Sequence, residues 1–291
     1  MGFNIWVKED YMNNLLNISI SSETKKYLEE LTSIYSELYV NKPLKIGVMG
    51  KSGAGKSSFI NAFTCHNVCK VGAVEGCTKK IQHIKAKLGS MDIVLMDFPG
   101  IAESIDKHGE YLQSYKKYLS ELDFIFWLIK VDDRSIFEDE EFYNEYCKEY
   151  DIQKKIVFLL SQVDKAQPIR EWDYNYFKPS SNQKDCIDRN RFRILQSFMV
   201  EENNIIPIAN NYDNDLKVFK YYNFENIFQN ILFKLNNDSK IADKVSLKTN
   251  WEIIKMETDR TITSQIKSFD YLAEEADEAL QSLNRLLEEL K

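Results

Sequence analysis

Short apolar runs alternate with amphipathic segments along most of this chain, and the alternation begins after a break at Asn41-Lys42-Pro43. The runs over 46–49, 79–88, 91–96, 123–131, 155–160 and 205–208 have the length and continuity of buried strands. Helical periodicity between them predicts an α/β fold, a mainly parallel sheet between helices. Before the break, residues 22–40 place Leu28, Leu31, Ile34 or Tyr35, and Leu38 on one face, with Ser21 or Ser22 as cap. Beyond about residue 237 the pattern is wholly helical. There Ile262, Ile266, Phe269, Ala273, Ala276, Leu280, Leu283, Leu287 and Leu290 alternate by four and three, widened by Leu272, Ala279 and Leu286. Such a stripe must be covered, and the matching N-terminal face is the expected cover, giving a helical appendage from both flanks.

A long connection after Asp164 carries Trp172, Tyr174, Tyr176, Phe177 and Pro179 and leads into a helix predicted over 182–200. Its aromatic residues are expected to pack the loop onto its own domain, the alternative being a binding surface.

The 291 residues are 44% hydrophobic, enough for one sizeable core and a smaller unit. The longest apolar run, Phe124 to Ile129, falls far short of the roughly 18 residues of a membrane span. The N-terminus lacks the basic and apolar regions of a secretion signal, and Trp6 stands where a myristoylation signal wants Ser or Thr. Five cysteines in no framework spacing read as reduced thiols, so the expected location is cytoplasmic. Cys65, His66 and Cys69 lack a second ligand pair and do not make a zinc site. A net charge of −7 excludes a general attraction to nucleic acid.

The candidate chemistry begins at Gly50-Lys51-Ser52-Gly53-Ala54-Gly55-Lys56-Ser57-Ser58, which fits the phosphate loop GxxxxGK[ST] between an apolar strand and a helix start. Backbone amides there would face phosphate oxygens, Lys56 would reach the β- and γ-phosphates, and Ser57 would hold Mg²⁺. Asp97-Phe98-Pro99-Gly100 follows the next apolar strand as a DxxG element, with Asp97 as a metal ligand and the Gly100 amide meeting the γ-phosphate. Thr78 stands at the switch position whose hydroxyl completes the metal shell, so the expected metal set is Ser57, Thr78 and Asp97. Lys56, Thr78 and Gly100 are the expected catalytic groups. Ser161-Gln162-Val163-Asp164-Lys165 departs from [NT]KxD at its first two positions but keeps the carboxylate that can accept from guanine N1–H and N2–H₂. Ser161 and Gln162 are expected to order the adjoining loop less well than Asn and Lys would. Ala209 and Asn210, after a strand, are placed to offer an amide to guanine O6.

On these residues, together with Trp127-Leu128-Ile129-Lys130-Val131-Asp132-Asp133-Arg134 and Ser161 to Ala166, the chain resembles the Era-like, YfjP-type GTPases of the translation-factor-related class. A weaker similarity, through Gly53 to Ala62, is to immunity-related GTPases. The resemblance covers about 43–233 and implies a P-loop G domain, here bounded at 43–236; it does not extend to the helical flanks over 1–42 and 237–291, which rest on their periodicity. It implies GTP and GDP as substrate and product, Mg²⁺ as cofactor, and hydrolysis to GDP and phosphate as a nucleotide-dependent switch.

Ile101 occupies the position at which Ras-like switches orient water with Gln, and an apolar side chain cannot do so; slow turnover is therefore expected. Gly53 stands where potassium-activated relatives carry Asn. Glu103 or His108 would supply the missing group from within the chain; a partner or second G domain is the preferred source. The alternatives are a self-assembling dynamin-like or immunity-related scaffold and a non-hydrolysing GTP-binding module. An RNA or ribosomal partner rests on Lys79, Lys80, Lys85 and Lys87, a pattern equally ordinary for an edge strand.

Overall fold

The computed structural model describes residues 4–6 as backbone, together with 20–65, 68–69, 81–101, 118–147 and 152–237. Within them, Leu44–Gly50 (β2), Met91–Asp97 (β4), Phe124–Lys130 (β5) and Ile156–Ser161 (β6) form the interior of a sheet. β5 and β6 are buried almost throughout, because both faces of a central strand lie under helices. The full order is β1-β3-β4-β2-β5-β6-β7, where β1 is Asn4–Trp6, β3 is Gln82–Leu88 and β7 is Ile205–Pro207. β3 runs antiparallel to β4, and every other neighbouring pair is parallel. This is the expected α/β class. β3 is not the edge strand that its alternating lysines suggested, since it pairs with β1 on one side and β4 on the other; Lys85 and Lys87 are partly exposed.

Helix α1 (Ser22–Leu38) starts at Ser21, whose hydroxyl accepts from the Thr24 amide at 3.2 Å. It buries Leu28, Leu31, Ile34 and Tyr35, and it contacts β4 and α5 (Phe224–Asn236). Glu225 at the start of α5 accepts from Thr24 Oγ1 (2.8 Å) and the Ser21 amide (3.2 Å). At the other end, Ser36 Oγ donates to Ser90 O at 2.8 Å, and the Ser90 amide donates to Thr32 Oγ1 at 3.2 Å. The helix thus belongs to the same unit as the sheet, Met1–Asn237, and residue 42 does not divide that unit. A second unit, Asp238–Lys291, lies outside the described residues, as do the heptad stripe expected there and its pairing with α1.

The helix of the phosphate loop, α2 (Lys56–Phe63), is fastened by aromatic side chains. Phe59 meets Phe126 edge-on at 5.3 Å between ring centroids, and Phe63 stacks on Phe228 of α5 at 5.5 Å. On the other side of β5, Trp127 packs among Phe142 of the short helix α3 (Phe137–Phe142), Tyr143 in the π-helical turn after it, and Phe158. Helix α4 (Ser181–Phe198) starts on a reciprocal capping box, Ser180 with Gln183. In the connection before it, Trp172 and Phe177 are buried against each other, which is the expected packing, while Tyr174 and Tyr176 are exposed.

The hairpin of β8 (Ala209–Asp213) and β9 (Val218–Tyr222) was not expected. Its strands carry Asn, Asp, Lys and Tyr without a clean alternation, and it is held from outside: Tyr221 OH donates to Ala62 O at 3.1 Å.

Leu28→Ala should lower unfolding stability by about 2–5 kcal/mol, the cost of a cavity in a core. Urea unfolding measures this, and a loss below about 0.5 kcal/mol would show that α1 is not built into the domain.

Candidate nucleotide-binding site

The sheet order brings the loops after β2, β4 and β6 to one end, where the strands present their carboxyl termini. Gly50 begins the phosphate loop with φ +131°, and a Cβ there would lie 2.3 Å from Leu128 O. No other residue fits against β5 at that point. Gly55 precedes α2, and no side chain caps the helix N-terminus, the end of a helix that favours an anion.

Lys56 is buried, and its ammonium donates to Gly50 O (2.9 Å) and Lys51 O (2.8 Å). Ser57 Oγ donates to Asp97 Oδ2 at 3.3 Å, which brings together two members of the expected metal set. Both are hard oxygen donors and fit a Mg²⁺ ion, whose chemistry prefers such ligands. The third member, Thr78, lies outside the described residues, as do Glu103, His108 and His66. Among the described residues no cluster of three or more His, Cys, Asp and Glu makes a metal site, and Cys65 instead lies 3.3 Å from Tyr221 OH. Gly100 rests on Ser52: a Cβ added to it would come within 2.8 Å of the Ser52 amide nitrogen and 3.2 Å of its Cβ. Ile101 beside it is fully buried with Phe98, Leu119 and Leu122, so its side chain belongs to the core.

The loop expected to read the base is held differently from expectation. Ser161 Oγ donates to Ala54 O at 2.7 Å, and Gln162 Nε2 donates to Gly53 O at 2.9 Å. Lys165 in turn donates to Gln162 Oε1 at 2.6 Å. Far from loosening the loop, Ser161 and Gln162 fasten it to the phosphate loop, because a hydroxyl and an amide both carry the donor a carbonyl needs. Gln183 of α4 adds a bond from its side-chain amide to Ala166 O at 3.0 Å. Burial pushes the Asp164 carboxyl above its ordinary range, and Lys165 opposes that shift. Ala209 and Asn210 sit in β8, where Asn210 Nδ2 donates to Ser58 O at 3.3 Å.

Lys51 is directed by its side chain to carboxylates. Its ammonium lies 2.7 Å from Glu138, 3.4 Å from Asp133 and 3.6 Å from Asp139, and it also donates to Ser135 O. Asp139 is almost wholly buried and accepts from Trp127 Nε1 at 2.8 Å. Sequence reasoning missed this group. The available signal was a tryptophan inside an apolar strand, whose N–H needs an acceptor when buried.

Residues 45–162 match the family of 50S ribosome-binding GTPases. Two uncharacterized proteins of Escherichia coli (strain K12) are similar to the chain. YkfA is 39% identical over 140 residues, 48% of either chain, and YfjP is 42% identical over 123 residues, 42% of either chain. Over these residues, less than half of its length, the chain is similar to a GTPase domain. The matches span less than half the length of those relatives. The fold of this GTPase domain is shared with Toc33 from Arabidopsis thaliana, solved in complex with Mg²⁺ and GMPPNP: TM-score 0.53 at 17% identity, over 76% of this chain and 95% of that one.

Gly100→Ala should force the loop after β4 off Ser52, since the nearest atom is backbone and cannot rotate away. A loss of about 1–3 kcal/mol in urea unfolding is expected, and an unchanged midpoint would contradict the close seating.

Proposed function

We propose that this chain binds GTP with Mg²⁺ and hydrolyses it slowly to GDP and phosphate, acting as a nucleotide-dependent switch in the cytosol. The observation that carries the reading is the meeting of three loops at one end of the sheet: Ser57 with Asp97, and Ser161 with Ala54. Lys56, with the amides of the phosphate loop, would take the β- and γ-phosphates by leaving the Gly50 and Lys51 carbonyls. Mg²⁺, held by Ser57 and Asp97 and expected to gain Thr78, would neutralise phosphate charge. Asp164 would accept from the guanine edge, in a loop that Ser161, Gln162 and Lys165 hold in place.

Slow turnover is supported by Ile101, whose burial removes the side chain at the water-orienting position. An intrinsic rate on the order of 10⁻⁴ to 10⁻² s⁻¹ follows. The missing group would come from outside the monomer, and a second G domain is the preferred source. A protein or RNA partner is a further proposal. Among the described residues no helix is long and apolar enough to cross a membrane.

Two measurements test this. Asp164→Asn should lose its preference for GTP over XTP and ATP in competition binding, and full retention would remove Asp164 from base reading. GTP turnover per molecule should climb with protein concentration; a flat rate near 10 s⁻¹ in dilute protein would sink both the slow monomer and the need for a partner.

A further inference from the structure

Lys51 connects two things that its position in the phosphate loop alone would not join. Its side chain lies among Asp133, Glu138 and Asp139, while its carbonyl accepts from Lys56, the lysine expected to meet phosphate. Asp139 is anchored rather than mobile: it is 1% exposed, and its Oδ1 is held by Trp127 Nε1, a side chain itself fully buried against Phe142 and Phe158. A rigid core on one side of β5 therefore reaches the phosphate loop through one carboxylate and one ammonium.

We propose that Asp139 and Lys51 form a clamp that positions the phosphate loop, the buried carboxylate holding the Lys51 side chain and so fixing the carbonyl from which Lys56 must detach to meet phosphate. The proposal rests on the nucleotide reading of the loop and makes Lys51 and Asp139 positioning residues, not catalytic ones. It competes with a simpler role for the carboxylates, repulsion of phosphate charge from beside the loop. The two differ in sign. Neutralising Asp139 loosens the clamp and weakens nucleotide binding, whereas relief of repulsion strengthens it.

The clamp also carries a pH dependence. The groups facing Asp139 are Lys51 from the phosphate loop, Asp133 from the connection after β5, Glu138 from α3 and the neutral Trp127 from β5. Burial pushes the Asp139 carboxyl up to about 6, against the opposing effects of the Trp127 bond and the Lys51 charge. As pH falls through that value Asp139 takes up a proton, and Lys51 keeps only Asp133 and Glu138 as anionic partners. Burial lowers the proton affinity of Lys51, but the bond to Glu138 and the charges of Asp139 and Asp133 outweigh it, so Lys51 stays cationic throughout.

The experiment is a titration of the full chain with a fluorescent GDP from pH 5 to 8, for the wild type, Asp139→Asn, Lys51→Met and Lys51→Arg, with thermal unfolding of each. Wild-type affinity should fall about fivefold or more from pH 8 to pH 5. Asp139→Asn should be weak and flat across the range although its side-chain oxygen can still accept from Trp127. Lys51→Met should match it, and Lys51→Arg should restore the wild-type profile because a guanidinium can span the same carboxylates. Asp139→Asn with wild-type affinity and profile, or with tighter binding, overturns the clamp. Should Asp139→Asn fail to fold, a Lys51→Met variant with the wild-type profile overturns it equally. A wild type that binds no guanine nucleotide at any pH overturns the nucleotide reading itself, a failure distinct from the others.

Discussion

A loop that turns its amides inward around an anion must turn its carbonyls outward, and buried carbonyls need donors. That constraint organises this end of the molecule. Gly50 O and Lys51 O are met by Lys56, Gly53 O by Gln162 and Ala54 O by Ser161. Two of these donors stand more than a hundred residues further along the chain, Ser161 at the end of β6 and Gln162 just after it. Two of the bonds that satisfy the phosphate loop's carbonyls therefore also fasten the segment at the end of β6 beside it.

The surrounding packing serves that arrangement. Phe59 and Phe63 tie α2 to β5 and α5, so the helix whose N-terminus faces the anion site cannot shift without opening the aromatic core. α5 is in turn tied through Glu225 to the start of α1. On the other side of β5, Trp127 and Phe158 carry the core up to Asp139. Phosphate loop, helix and sheet thus share one packed interior rather than meeting at a hinge.

The strands and the motif loops were legible in the sequence because each loop follows an apolar run of strand length, and because glycine at 50, 53 and 55 has few other reasons to be there. What the sequence left hidden were choices of partner. The stripe on α1 declares an apolar face but not whether sheet, α5 or a distant helix covers it. Ser161 and Gln162 look like losses when compared with Asn and Lys, since a local pattern does not record that a carbonyl far along the chain is waiting for a donor. The hairpin of β8 and β9 went unseen for another reason: Asp213-Asn214-Asp215-Leu216-Lys217 turns without glycine, and the strands are held by bonds to α2 and by ring contacts of Tyr221 and Tyr222 with Phe224 and Trp172 rather than by a regular apolar face. Of the candidate site, Thr78 falls outside the described residues, and Asp139 was invisible because α3 is too short to show a periodicity.

Gln162 has φ 56° and ψ 38°, a left-handed backbone that disfavours any side chain bearing a Cβ by about 1–2 kcal/mol. The bonds of its amide to Gly53 O and from Lys165 hold it there from within the chain. The conformational cost of this turn is thus offset by bonds within the chain itself. A ligand bound against this turn would have less disorder to remove, and more of its contact energy would remain available as affinity.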